Sequence, residues 1–221
     1  MDAMASSTTP RRTRKQPDER RAEILEAAAV IALERGLERI TLRALAERLG
    51  VRPGLITHYF PAVEDVVVQG FERAAIVERE RFFPRELHGL AGVRHFVAHV
   101  ESGVSEPLAR LWLNARHLSR FTPALEAALR EQDRLDRERL LELLAEGMAD
   151  GDIPASDAEV AAARIWIAVD GSGSYVNVTE LPSPATHKAF VADVAEWSLG
   201  LPAGSLPRPP GATGATGATG A

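Results

Sequence analysis

The sequence contains no cysteine. That absence excludes disulfides, thiolate metal sites and thiol redox sensing. No stretch approaches the roughly 18 uncharged apolar residues that a membrane helix needs. The N-terminus, MDAMASSTTPRRTRKQPDERR, is basic, but no apolar segment follows that would make it a signal peptide. Residence in the cytoplasm and no membrane partner are therefore expected. Convincing period-2 strand patterns are missing too, so the chain reads as all-α. Positive charge is short overall, with a net charge of −5. That average argues against a nucleic-acid partner, but it hides an asymmetry. Residues 1–60 carry eleven Lys/Arg and eight Asp/Glu, whereas the remainder carries fifteen and twenty-three. Phosphate attraction is local, so a basic end on an acidic body is compatible with DNA binding.

What is present is 221 residues, 45% of them apolar, enough to bury a sizeable core. Residues 1–17 are polar and rich in Ser, Thr, Pro and Arg, and read as a disordered basic arm. DERRAEILEAAAVIALER, residues 18–35, has apolar residues at helical spacing, acidic residues in its first turn and Gly36 as a stop. In ITLRALAERLG, Thr41 suits an N-cap and Gly50 a stop, with Leu42, Leu45, Ala46 and Leu49 on one face. Two helical turns are stable only when packed. The next stretch, GVRPGLITHYF, starts a helix near Arg52, because Pro53 is tolerated in a first turn. Leu55, Ile56 and Phe60 turn inward there, leaving Arg52, Thr57, His58 and Tyr59 largely outside.

Two short helices joined by a tight Gly-containing turn form a helix-turn-helix, whose second helix enters a DNA major groove. Thr57, His58 and Tyr59 then offer hydroxyl and imidazole groups to phosphates or base edges, and Gly54 lets the backbone approach. The run RRAEILEAAAVIALERGLERITLRALAERLGVRPGLITHYFPAVEDVV resembles the DNA-binding domain of the TetR family of transcriptional regulators, over about residues 20–68. The likeness lies in the Ile-Leu-x-Ala-Ala first helix, Gly36, Thr41, Ala46, Gly50-Val51, Gly54 and the Tyr59-Phe60 close. GLITHYF also resembles the recognition helix of the choline-responsive BetI-like branch. The resemblance implies Thr41 and Arg43 near a phosphate, Arg52, Pro53, Gly54, Thr57 and His58 near the bases, and Tyr59 on a phosphate. Arg11, Arg12, Arg14 and Lys15 would reach the backbone or minor groove as an arm. Two positions depart from the family pattern. Arg52 stands where a capping Ser is common, and Val63 where a phosphate-binding Lys is usual.

Beyond residues 18–62 the chain reads as a helical body, residues 63–201, followed by a low-complexity tail, residues 202–221. The expected helices are EDVVVQGFERAAIVERE, VRHFVAHVESGV, PLARLWLNARHLSRF, a long one from Thr122 to Ala149, DAEVAAARIWIAVDGSGSYV and a last one over residues 184–199. FFPRELHGLAG reads as a loop and GDIPAS as a break. The charges Glu131, Arg134 and Glu138 fall three and four apart, as on a solvated face. The Ile-Trp-Ile-Ala-Val run is apolar on every face and calls for burial against a partner as well as the chain's own core. In the TetR family the last two helices pair across a two-fold axis, so the resemblance implies a homodimer and a palindromic operator. Phe190, Val194 and Trp197 share one face of the last helix. The tail has Gly at every third residue but too few repeats and no Pro inside them, so disorder is expected rather than a collagen helix.

Trp112, Asn114, His117, Trp166, Asp170 and Tyr175 combine aromatic surface with hydrogen-bonding tips and are the candidate lining of a pocket for a small-molecule effector. Spacing alone does not assemble them into a box. The competing reading for each Trp is plain core. His95 and His99, four apart, and His117 on the next helix raise the question of a metal, but no carboxylate-rich motif accompanies them, and neither metal nor cofactor is expected. Asp170, Ser172 and Ser174 sit in GSGS, which lacks the G-x-S-x-G pattern of a nucleophile elbow, so an enzyme is not expected. The resemblance implies a ligand-released repressor. A constitutive repressor and a metal-responsive regulator are the alternatives.

Overall fold

A computed structural model describes residues 16–180 and 187–209, and among them every regular element is helical. The expected basic arm (with Arg11, Arg12, Arg14 and Lys15), the start of the last helix at residues 184–186 and the repeats beyond residue 209 lie outside the described residues.

The head is built on α1, Pro17–Arg35, which opens with Pro at its first position. The Gln16 backbone N–H donates to Glu19 Oε2 at 3.2 Å, and Gly36, with φ 95°, ends the helix. Its Ala-rich face (Ala27, Ala28, Ala32) is buried. Small side chains there let α4, Val63–Phe82, approach closely. A Cβ built on Gly70 of α4 would lie 2.9 Å from Ala28 Cβ, so the contact admits nothing larger than Gly. A 3-10 turn, Leu37–Arg39, then buries Leu37 completely and leads into α2, Leu42–Leu49. Thr41 Oγ1 accepts from the Ala44 N–H at 3.1 Å, a cap expected from the sequence. Gly50 closes α2 at φ 61°, the left-handed region that tolerates Gly best. Next comes α3, Pro53–Tyr59, with Ile56 and Phe60 fully buried beneath it. Burying each of these side chains contributes about 2 kcal/mol, which is what holds a seven-residue helix in place.

In the body, α5 spans Gly89–Glu101, α6 Glu106–Ser119, α7 Pro123–Ala149, α8 Ala158–Ser174 and α9 Phe190–Leu199. The loop expected over FFPRELHGLAG is shorter than its sequence suggests. Phe82 still belongs to α4, and Gly89 to Gly92 already form the first turn of α5. The glycines of this stretch are contact points. Glu146 on α7 accepts from the Gly89 N–H at 2.9 Å, and a Cβ on Gly92 would strike Leu143. Phe82, Phe83, Phe96 and Trp166 form an aromatic cluster, with Phe83 stacked on Phe96 at 5.1 Å between centroids.

Two expectations change at the C-terminal side. Ala189, with φ 65°, precedes α9, so this helix starts at Phe190 rather than running unbroken from residue 184. Residues 202–209, expected to belong to the disordered tail, pack on the body, with Leu206 buried. Glu196 explains this: its carboxylate is buried and accepts from the Gly204 N–H (2.9 Å), the Leu206 N–H (2.7 Å) and Arg208 (2.7 Å). The apolar α8 is also not buried all round within one chain. Ile165 is fully buried, but Ile167 is 70% exposed, as is Trp197 of α9 at 67%. The stripe of Phe190, Val194 and Trp197 thus faces outward, while Val191, Ala192, Ala195 and Leu199 face the core.

Candidate nucleic-acid interface and body cavity

The burial of Ile56 and Phe60 fixes which side of α3 faces water. Arg52, Pro53, Gly54, Thr57 and His58 are exposed, and Tyr59 is half-buried with its ring edge-on to His58 at 5.2 Å. The Thr57 hydroxyl donates back to the Pro53 carbonyl at 3.4 Å, leaving its lone pairs outward. Gly54 has no heavy atom within 4 Å of where a Cβ would stand, so nothing in the protein's own packing requires glycine there. On α2, Thr41 is exposed and Arg43 extends into solvent, paired with Glu47 at 2.7 Å. That pairing raises the Arg43 pKa, chiefly through the Glu47 hydrogen bond. Arg52 makes no side-chain cap, as its chemistry requires, and Val63 is the exposed first residue of α4.

One organising residue of the head has no local signature. Arg21 of α1 donates to Gln69 Oε1 of α4 (2.8 Å) and to the Tyr59 carbonyl at the end of α3 (3.4 Å), and lies over the Phe60 ring at 4.3 Å. Its partners are 38 and 48 residues away, beyond the reach of helical periodicity.

A cavity of about 350 Å³ opens between α5, α6, α7 and α8. Trp112, Trp166, Asp170 and Tyr175 converge on it, as proposed from the sequence. Asn114 and His117 do not line it. Trp112 and Arg116 are four apart and share the cavity face of α6, whereas Asn114, two residues from each, points the opposite way. There its Oδ1 accepts from the Leu37 N–H at 2.8 Å and its Nδ2 donates to Glu38 Oε1 at 2.8 Å. Asn114 therefore pins the cavity helix to the turn just before α2. His117 is exposed, with its ring against Phe121 at 5.9 Å.

The α7 wall has no signature in the sequence. Asp133 and Asp136 both line the cavity, although the charge pattern of α7 reads as a solvated face. Arg79 of α4 draws Asp136 inward by an ion pair and also donates to Gln132 Oε1 at 2.7 Å. Burial pushes the Asp136 carboxyl up to about 6, against the opposing pull of Arg79. Across the cavity, Arg116 pairs with Asp170 at 2.7 Å and lies over the Trp112 ring at 5.4 Å. Glu101 accepts from the Ala189 and Ala192 N–H groups at 3.1 and 3.0 Å, and burial raises its pKa.

His95 Nε2 sits 2.8 Å from the Arg81 carbonyl, and its ring stacks on His99 at 6.2 Å. Burial lowers the His99 pKa. Among the described residues no group of three or more His, Asp or Glu is arranged to hold a metal ion, and no helix is long and apolar enough to cross a membrane.

Residues 24–69 match the family of bacterial regulatory proteins, tetR family. The HTH-type transcriptional repressor KstR2 of Mycobacterium tuberculosis is 40% identical over 52 residues, 24% of this chain and 26% of that protein. The match thus spans about a quarter of the length of this relative. Over most of the chain the similarity is one of fold. A TetR-family regulator from Rhodococcus sp. superposes with a TM-score of 0.63 at 19% identity, covering 83% of this chain and 96% of that one. A transcriptional regulator from Saccharomonospora viridis, solved in complex with choline, gives 0.61 at 17% identity, covering 82% and 94%. Residues 24–69 thus carry the helix-turn-helix of the tetR family, and the all-helical body shares the fold of these solved regulators.

Proposed function

We propose that the protein is a transcriptional repressor that binds a palindromic operator as a homodimer and is released by a small molecule held in the body cavity. The observation that carries this reading is α3: a short helix with an apolar base of Ile56 and Phe60 and an outward face of Arg52, Thr57 and His58. On the operator, these residues and Gly54 lie nearest the bases. Thr41, Arg43 and Tyr59 lie on phosphates, with the start of α2 offering its free N–H groups. The N-terminal arm adds non-specific attraction. The open apolar face of Ile167 and Trp197, flanked by Val160 and Phe190, supports pairing of α8 and α9 with a second copy. Such a dimer presents two α3 helices to successive major grooves.

Release requires the ligand to favour a state whose heads no longer fit the operator. A tenfold loss of DNA affinity needs about 1.4 kcal/mol of coupling. Two connections could carry it: Arg79 on α4, held by the α7 wall, and Asn114 on α6, held to the turn at Leu37. The test is footprinting of the protein on its own upstream region in a salt series. A protected palindrome is expected, with Thr57→Ala and His58→Ala weakening specific binding more than binding to random DNA. Equal losses on both DNAs would contradict base reading by α3.

A further inference from the structure

We infer that the body cavity takes an organic cation with an apolar body, seated against the Asp133–Asp136 wall and the tryptophan faces. This inference rests on the proposal that the cavity is the ligand site and names the chemistry it selects. Among the described residues the charge of the lining is lopsided: Glu101, Glu106, Asp133, Asp136 and Asp170 contribute carboxylates, and Arg116 is the lone guanidinium. The cations that hold Asp133 and Asp136, Arg137 and Arg79, do not line the cavity. The lone lining guanidinium is already spent on Asp170. Glu106 is itself paired with Arg110, and Glu101 accepts from the Ala189 and Ala192 N–H groups, but a carboxylate has lone pairs for more than one donor, whereas an anionic ligand would meet a guanidinium already paired and a ring of like charge. Burial works in the same direction, because Asp136 stays ionised at neutral pH only against a desolvation penalty that a second cation relieves.

The aromatic residues fit the same guest. Arg116 already lies over the Trp112 ring, and Trp166 and Tyr175 add the ring surface a second cation can use. A bare metal ion is a poor match, since no group of three or more metal-binding side chains is arranged for one among the described residues. At about 350 Å³ the space suits a small drug-sized molecule rather than a single ammonium group, so the cation carries an apolar extension. A cation seated on Asp136 also competes with Arg79 for the same carboxylate, which loosens the tie between α7 and α4.

The experiment uses calorimetry on the full chain with three probes of matched shape. They are trimethyl(3-phenylpropyl)ammonium, its uncharged isostere with tert-butyl in place of trimethylammonium, and 5-phenylpentanoate. The cation is expected to bind at least tenfold more tightly than the isostere, and the carboxylate to give no signal at the same concentration. Asp136→Asn is expected to erase that tenfold preference while the isostere binds as before. Asp133→Asn serves as the second variant if the first fails to fold. Equal binding of cation and isostere, tighter binding of the carboxylate, or a preference untouched by both substitutions would overturn the charge assignment and leave the cavity as a ligand site. Binding of none of the three at millimolar concentration would overturn the ligand role of the cavity as well.

Discussion

Head and body place their polar chemistry on opposite sides. Among the described residues, the buried polar side chains Glu78, Gln132, Glu196 and Ser198 all belong to the body, and the buried side chains of α1 to α3 are apolar. The head keeps Arg43, Arg52, Thr57 and His58 at its surface. Such a head is a rigid apolar wedge with an outward reading face. The body instead carries charge inside, where each ion is held by a specific partner and a newcomer disturbs the balance.

The sharpest test of that contrast is Phe60→Ala. It empties the apolar base of the head and should cost about 3–5 kcal/mol, read as a shift of the urea midpoint. A small loss would mean that the head does not rest on this residue. Next in size is Arg79→Ala, which strands Asp136 and should cost about 2–4 kcal/mol at pH 7.5. Its cost should shrink at pH 5.5. The folded pKa of Asp136 is raised to about 6 from an ordinary 3.8, so folding takes up a proton. The stabilisation from that proton is complete below about pH 4 and is lost as pH rises through about 6. Asp136→Asn should flatten this segment of the pH profile, and an unchanged profile would place the titration elsewhere.

A smaller effect is expected at the seam between the two regions. Asn114→Ala removes both bonds to the turn before α2 and should cost about 1–2 kcal/mol, with faster hydrogen exchange at Leu37. Unchanged exchange there would show that the head does not lean on α6. The smallest effect belongs to Thr57→Ala, expected to leave stability within about 0.5 kcal/mol while weakening operator binding. A large loss of stability would make α3 a structural helix first.

The head was readable because its signals are local. Thr41 caps α2 and Gly50 ends it within the same ten residues, and Ile56 and Phe60 are apolar where α3 must face inward. The body is less legible in the sequence because its decisive contacts cross helices. Asp136 carries the periodicity of a solvated face and is drawn in by Arg79, 57 residues away. Gly89 and Gly92 look like breakers until α7 supplies Glu146 and Leu143 as neighbours. By residue type Asn114 and His117 belong in a pocket with Trp112, yet the turn of α6 aims them elsewhere. The Trp112, Trp166, Asp170 and Tyr175 placement followed from side-chain chemistry but needed the fold to become one cavity.

Gly54 separates two properties that a laboratory selection would confuse. Its surroundings are empty, and alanine in a helix is favoured over glycine by about 0.5–1 kcal/mol. A variant library screened for heat resistance would therefore enrich Gly54→Ala. If the backbone at that position does press against the operator, each enriched clone would be a sturdier protein and a poorer reader. Thermostability engineering of this chain should leave residue 54 out of the library.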